Sequence, residues 1–201
     1  MKDRRRVAKT EVVLVFGESR NDSERVAHLL VAANDRLTRL VRALPRPVSL
    51  TRAAGEAAVR TWTDQLRRAV HACEATGHEV IAVLVHRDAG GPDPLATVEE
   101  MLRKQLSEVP EGHPVVPVQA IEAWWLLFPG AVEAVRPRAW RGKLPSSPGK
   151  DHLRRKTRVK GTPDAEADSV TIAEIIRNHG LSPSGRSASY ERFIGLARSI
   201  P

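Results

Sequence analysis

Two short apolar runs, at residues 12–16 and 80–85, constrain the fold of this chain more than any other feature. Each is rich in β-branched residues, and each is followed by a segment with helical periodicity. An unbroken apolar run of this length is typical of a strand that is covered on both faces, as in a parallel sheet. We therefore expect an α/β fold with a central, mostly parallel sheet and helices on both faces.

Apolar residues recur at helical spacing through most of the remaining chain. The segments that we predict as helices are residues 22–41, 56–76, 95–106, 164–179 and 187–200. A third strand is predicted at residues 115–118, and an apolar helix at 120–128 that Pro129 and Gly130 end. This alternation of strands and helices favours parallel pairing, in which ligands bind beyond the carboxyl ends of the strands.

The chain has 201 residues, enough for one main domain with a substantial core. We place that core at residues 1–135. Residues 136–163 are rich in basic residues, Pro, Gly and Ser, which predicts a surface excursion, and residues 164–201 form a helical segment that packs back on the core. The formal charge of +8, from 32 Lys and Arg against 24 Asp and Glu, favours polyanionic partners such as nucleic acid or acidic protein surfaces.

Cys73 is the only cysteine, which excludes an intrachain disulfide and a cysteine-based zinc site and fits a reducing compartment. The charged segment at residues 1–9 runs directly into the first apolar run, without the hydrophobic region of a signal peptide. No apolar run approaches membrane-spanning length. We therefore expect a cytoplasmic protein with no membrane partner.

Acidic residues follow both apolar runs, at the edge where such a sheet binds ligands. Glu18 lies two residues after the first run and Asp88 lies just past the second, so their carboxylates meet if the two strands are neighbours. Clustered carboxylate oxygens can bind Mg²⁺ and so promote phosphodiester hydrolysis. The alternative is that Glu18 is a solvated loop acid while Asp22 or Ser23 caps the helix.

Two further acids are each open to two interpretations. Asp93 could add a metal ligand from the loop, or it could start a helix between Pro92 and Pro94. Glu122 stands in an apolar segment, where a carboxylate is costly unless it is paired or exposed. It could support the acidic site, or it could favour the positive N-terminal end of its helix while the tryptophans fill the core.

A dense basic stretch follows the predicted core and could contact phosphates without reading sequence. Its residues are Lys143, Lys150, Arg154, Arg155, Lys156, Arg158 and Lys160. A solvated face, or a docking surface for an acidic partner, would explain the same charge pattern.

Four segments, in order along the chain, resemble motifs of the TOPRIM-like superfamily. Residues 18–22 (Glu-Ser-Arg-Asn-Asp) match a motif of Glu, Gly, any residue, Thr and Asp after the first strand, and residues 87–90 (Arg-Asp-Ala-Gly) match a motif of Asp, any residue and Asp. Residues 117–127 carry a Pro followed by Ile-Glu-Ala-Trp-Trp-Leu-Leu, and residues 187–194 lead into an aromatic closing helix. Within the superfamily, the pattern is similar to that of prokaryotic proteins often encoded beside ATPases.

The resemblance implies a Rossmann-like TOPRIM fold with a helical C-terminal segment, and a Mg²⁺- or Mn²⁺-dependent nuclease that cleaves DNA or RNA. It also implies that Glu18 acts as general acid or base and that Asp88 helps to bind the metal ion. The acids that we expect to support this pair as metal ligands are Asp22, Asp93 and Glu122. We expect Arg87 and the basic stretch to contact the nucleic-acid backbone, and an ATPase subunit to act beside the nuclease in defence against phage.

Two positions depart from the family pattern. Gly90 stands where the second aspartate of its motif would be, and Ser19 replaces the usual glycine. The loss of one carboxylate lowers metal affinity unless Asp93 substitutes for it, because fewer oxygens then neutralise the ion. The alternative function is therefore that of a catalytically degenerate TOPRIM-like subunit, which binds or regulates an ATPase or nucleic acid without cleavage.

Overall fold

The computed structural model describes residues 9–44, 56–90, 95–118, 120–135 and 165–201. Its strands are β1 (Thr10–Phe16), β2 (Val41–Ala43), β3 (His78–His86) and β4 (Gly112–Val115). Its α-helices are α1 (Arg20–Ala33), α2 (Glu56–Ala75), α3 (Leu95–Leu106), α4 (Pro129–Val135), α5 (Ala165–Asn178) and α6 (Ala188–Ser199). Two 3-10 helices are η1 (Asp35–Arg39) and η2 (Ile121–Leu127). None of the described helices combines the length and apolar character needed to cross a membrane.

The described strands form one sheet in the order β2-β1-β3-β4, and every pair is parallel. This confirms the α/β class and the parallel sheet. β1 pairs with β3 along its whole length, from Thr10 opposite His78 to Phe16 opposite Val85. The chain leaves β1 for β2 on one side and returns to β3 on the other. Doubly wound sheets bind ligands at such a switch point, in the crevice beyond the ends of the two strands.

Alternate side chains of β1 enter two separate hydrophobic cores, because successive residues of a strand point to opposite faces of the sheet. Val13 and Val15 pack in a core with α1, η2 and the C-terminal helices. Val12 and Leu14 pack in a second core with α2 and α3. Helices therefore cover both faces of the sheet, as the apolar runs predict.

The C-terminal helices α5 and α6 pack on the core through aromatic and polar contacts with η2. The ring centroids of Trp124 and Phe193 lie 5.2 Å apart. The indole Nε1 of Trp125 donates to Oγ of Ser169 at 2.6 Å, which joins η2 to α5. The two C-terminal helices thus contact η2, whereas the excursion predicted at residues 136–163 lies outside the described residues.

The first helix is shorter than its apolar periodicity predicts. α1 ends at Ala33, because Asn34 adopts an extended conformation and its side chain donates to the carbonyls of Ala197 and Ile200. The chain then forms η1 and β2, an edge strand of three residues beside β1. The prediction of one helix over 22–41 was therefore wrong in its second half, where tertiary contacts outweigh local periodicity.

Three boundaries around β4 also differ from the prediction. The third strand covers Gly112–Val115, rather than residues 115–118, because its pairing with β3 begins at Gly112. The helix expected at 120–128 is the 3-10 helix η2. Pro129 begins α4 instead of ending a helix, since its missing N–H costs nothing in a first turn.

Candidate active site

Glu18 and Asp88 lie beyond the carboxyl ends of the two central strands. Each residue stands two positions after its strand, because β1 ends at Phe16 and β3 ends at His86. The backbone of Asp88 lies close enough to the carboxylate of Glu18 to stabilise its charged form, and the charges of the two acids influence each other. The structure therefore brings together the two acids that the sequence places at one edge of the sheet.

Gly17 lets α1 start directly above the end of β1. A Cβ atom at this position would stand 2.5 Å from Cβ of Asp22 and 2.8 Å from the backbone nitrogen of Ser23. These separations are too short for any larger residue unless the backbone moves. The tight turn therefore keeps Glu18 at the crevice rather than in a longer, solvated loop.

The environment of Glu18 favours its protonated form. Partial burial raises the pKa of Glu18, and the negative charge of Asp88 adds to the rise. His86, Arg87 and the N–H of Asp88 act in the opposite direction without cancelling it. The residue as a whole remains exposed, so solvent screens part of these effects. A carboxyl group with a raised pKa at a ligand-binding edge is suited to proton transfer.

His86 is a buried member of the site that the sequence analysis did not single out. Its Nε2 lies 3.3 Å from Oδ1 of Asp88, and its Nδ1 lies 3.9 Å from Oδ2 of Asp22. Burial lowers the pKa of His86, but the carboxylates of Asp88 and Asp22 outweigh it, so that the net shift is upward. The available sequence signal was a histidine closing an apolar strand immediately before an acidic turn.

Asp88 is also held by the first residue of η2. Its Oδ1 accepts a hydrogen bond from the backbone N–H of Ile121 at 3.1 Å. Two residues further on, Gly90 has a φ of 79°, a left-handed conformation that side chains disfavour. The position where the family motif has its second aspartate is therefore one at which this backbone favours glycine.

Asp22 is part of the N-terminal cap of α1. Its Oδ2 accepts from the backbone N–H of Ser19 at 2.9 Å, and its own N–H donates to Oγ of Ser19 at 3.2 Å. Together these bonds form a capping box, in which two otherwise unpaired backbone N–H groups are satisfied. The capping interpretation of Asp22 therefore describes its local contacts.

Glu122 forms a buried ion pair with Arg25, a residue that the sequence analysis did not select. Nη1 of Arg25 lies 2.8 Å from Oε1 of Glu122, and the two side chains are 2% and 12% exposed. The same Nη1 lies 3.4 Å from Oδ1 of Asp22. The available sequence signal was an arginine on the buried side of α1, three residues after an acid.

Several expected site residues contribute differently or lie outside the described part of the chain. Arg87 is only 5% exposed, so little of its surface is available to a nucleic-acid backbone, and its charge acts on Glu18 instead. The residues that lie outside the description are Asp93, Lys143, Lys150, Arg154, Arg155 and Lys156. Among the described residues, no three His, Cys, Asp or Glu side chains are grouped so that they could hold a metal ion.

Comparison of the chain with protein-family models, with curated proteins and with solved structures found no match.

Proposed function

We propose that this protein is a Mg²⁺-dependent nuclease with a TOPRIM-like acidic site. The observation that carries the proposal is the pairing of Glu18 with Asp88 at the switch point between β1 and β3. Ligands of doubly wound sheets bind in this crevice. A carboxyl group with a raised pKa beside a second carboxylate supplies both a proton-transfer group and a ligand for a hard cation.

In the proposed mechanism, a water molecule attacks the scissile phosphorus and the bond from phosphorus to the leaving oxygen breaks. Glu18 takes the proton of the attacking water as general base, or gives a proton to the leaving oxygen as general acid. Its partial burial and the charge of Asp88 raise its pKa, which lets it exchange a proton more readily than an ordinary surface acid. The N–H of Ile121 and the imidazole of His86 both contact the carboxylate of Asp88 and would stabilise its negative charge. A bound Mg²⁺ would stabilise the attacking and leaving oxygens of the displacement.

The donor set fits Mg²⁺ or Mn²⁺ with a small number of protein ligands. Mg²⁺ keeps several waters and is commonly bound through one or two carboxylates, so Glu18 and Asp88 are sufficient in principle. Asp22 and Glu122 have oxygens engaged in the helix cap and the Arg25 ion pair. We therefore propose Glu18 and Asp88 as the metal ligands, and assign Asp22 and Glu122 supporting roles.

The polymer and partner parts of the proposal depend on charge and on the family resemblance. The formal charge of +8 favours a polyanionic substrate, for which DNA and RNA are both suitable. The basic stretch between Lys143 and Lys160 would guide the backbone. The single cysteine favours a cytoplasmic location. The resemblance adds an ATPase subunit as partner and a role in defence against phage.

One observation favours a second candidate, a catalytically silent subunit that binds nucleic acid or an ATPase. Asp88 already has a buried imidazole beside it, because His86 lies 3.3 Å away. The surrounding carboxylates raise the pKa of His86 against the effect of burial, which favours the charged imidazole. A carboxylate balanced in this way does not require a metal ion. Gly90 also favours the silent subunit, because it stands where the family's metal site has a second aspartate.

Cleavage assays decide between the two candidates. Plasmid DNA and total RNA are incubated with Mg²⁺ or Mn²⁺ and with wild type, Glu18→Gln, Asp88→Asn or the control Glu79→Gln, which changes an exposed acid on β3. We expect wild type and control to cut one polymer and each site variant to lose about 100-fold or more, the usual contribution of proton transfer. If neither polymer is cut with either metal, or if both site variants cut normally, the nuclease proposal is wrong.

A further inference from the structure

Arg25 is a buried charge whose position is not explained by stability alone. It occupies the core-facing side of α1, and its single Nη1 atom contacts the carboxylates of both Asp22 and Glu122. Removing three charged groups from water carries a desolvation cost that their mutual attraction often does not offset. A buried ionic cluster of this kind is better explained by the geometry that it maintains.

Each acid that contacts Arg25 lies in a segment that adjoins or hydrogen-bonds one member of the acid pair. Asp22 caps α1 through Ser19, the residue directly after Glu18. Glu122 is the second residue of η2, and the N–H of the first, Ile121, donates to Asp88. Arg25 thus connects the turn after β1 to the start of η2, two segments that are about a hundred residues apart in the chain.

The path from Arg25 through η2 and Asp88 leads back to Glu18, because Asp88 acts on the carboxylate of Glu18 through its backbone and its charge. We propose that Arg25 is a positioning residue that sets the placement of Glu18 relative to Asp88, by tying the N-terminus of α1 to η2. The ion pairs of Arg25 are with Asp22 and Glu122, and it acts on the acid pair through these two residues.

The Arg25–Glu122 contact has incomplete hydrogen bonding on both sides. Within the described part of the chain, Nε of Arg25 and Oε2 of Glu122 are buried and lack a hydrogen-bond partner. A bidentate pair would have satisfied both atoms and strengthened the interaction. Instead, the single Nη1 atom contacts Asp22 of α1 and Glu122 of η2 at the same time. This arrangement connects the N-terminal part of α1 to η2.

The experiment uses the full chain and a pair of substitutions that removes both partners. Arg25→Met or Glu122→Gln alone disturbs a buried ion pair and could prevent folding. The double variant Arg25→Met/Glu122→Gln removes both charges of the buried pair, and removing both together costs less stability than leaving one of them unpaired. Asp22 loses its contact with Arg25 but still accepts a hydrogen bond from the N–H of Ser19. The matched control is Arg103→Met/Glu99→Gln, which removes an Arg–Glu pair of α3 away from the acid pair, together with the contact of Glu99 to Arg192 of α6.

The first readout is amide hydrogen exchange measured by NMR, which requires no catalytic activity. The amide of Ile121 reports its hydrogen bond to Asp88, and the amide of Asp88 reports the backbone beside the Glu18 carboxylate. In the double variant we expect both to exchange faster, on the order of tenfold, while the sheet amide of Val83 keeps its protection. Unchanged exchange at Ile121 and Asp88 in the folded double variant overturns the proposal.

The second readout is kinetic and rests on the proposed nuclease function. A displacement of about 1 Å in a catalytic group can cost on the order of 100-fold in rate, so we expect kcat to fall while KM stays nearly constant. Arg25→Lys, which keeps a cation, should recover part of kcat. A normal kcat despite faster exchange at Ile121 and Asp88 also overturns the positioning role.

The two readouts separate failure of this inference from failure of the proposed function. If wild type cuts no polymer, the nuclease proposal fails, and the exchange rates of Ile121 and Asp88 still decide whether Arg25 sets the geometry. If wild type cuts and the double variant behaves like the Arg103→Met/Glu99→Gln control in both readouts, the nuclease proposal stands and the role of Arg25 is refuted.

Discussion

Nε2 of His86 lies 3.3 Å from Oδ1 of Asp88, at the point where β3 ends, and the histidine side chain is 1% exposed. Burial lowers the pKa of His86, whereas the carboxylates of Asp88 and Asp22 raise it and determine the net direction. The folded protein therefore favours the charged imidazole. Its contribution to stability is present below about pH 6.5, the usual value in an unfolded chain, and is lost as the pH rises through the folded pKa.

Replacing Asp88 by Asn should lower the pKa of His86, because the substitution removes the nearest carboxylate. The measurement is an NMR titration of the His86 ring in wild type and in Asp88→Asn. The control is Glu79→Gln, which removes an exposed acid from the same strand and should leave the His86 titration in place. If His86 has the same pKa in Asp88→Asn and in wild type, the contact with Asp88 does not raise the pKa of His86.

Glu18→Gln should stabilise the protein at neutral pH while it impairs the site. Burial and the charge of Asp88 raise the folded pKa of Glu18 above its unfolded value, so ionisation of this acid opposes folding. The stabilising effect of the variant should be absent below about pH 4.3 and should grow as the pH rises through the folded pKa. Because Glu18 is exposed and screened, we expect a gain below about 1 kcal/mol at pH 7. Urea unfolding at pH 4 and pH 7 tests this, and equal differences at both pH values would contradict it.

Gly17→Ala should destabilise the turn between β1 and α1. The added methyl group would stand 2.5 Å from Cβ of Asp22, so the backbone must move, at a cost of about 1–3 kcal/mol. Gly130→Ala is the matched control, since nothing lies within 4 Å of its Cβ position and alanine favours helix, by up to about 1 kcal/mol. Thermal and urea unfolding should therefore show effects of opposite sign, and a neutral Gly17→Ala would refute the steric argument.

Ser169→Ala should weaken the attachment of α5 to the core. The substitution leaves the indole N–H of Trp125 buried without its 2.6 Å acceptor, which costs about 1–3 kcal/mol of unfolding free energy. Ser199→Ala removes an exposed serine hydroxyl from α6 and should change stability by less than about 0.5 kcal/mol. Urea unfolding followed by tryptophan fluorescence compares the two variants. Equal effects would mean that the buried hydrogen bond does not stabilise the C-terminal segment.

Much of the fold was predictable because burial is visible in a local pattern. The β-branched runs correspond to β1 and β3, and the helices expected at 56–76 and 95–106 are α2 and α3 within a residue. The strand β2 was not predictable in this way. It has three residues, all of them at least partly exposed, and it depends on pairing with β1 rather than on an apolar pattern of its own.

The candidate site likewise contains residues that the sequence could predict and residues that it could not. Glu18 and Asp88 were recognisable because acids directly after buried strands of a parallel sheet converge at one edge. Arg25 and His86 were not, because a charged or polar residue within an apolar pattern gives no indication of its partner. Those partners are distant in sequence, as Glu122 is for Arg25.

The sequence by itself determined the α/β class, the two central strands and the location of an acid pair beyond them, because hydrophobic periodicity and strand-end position are local properties. Only the tertiary structure decided which basic side chains lie beside the acids of the site. Burial of Arg25 and His86 beside Asp22, Asp88 and Glu122 depends on the packing of α1 and η2 against the sheet. The strength and direction of electrostatic effects follow from distance and solvent exclusion, which no single segment specifies.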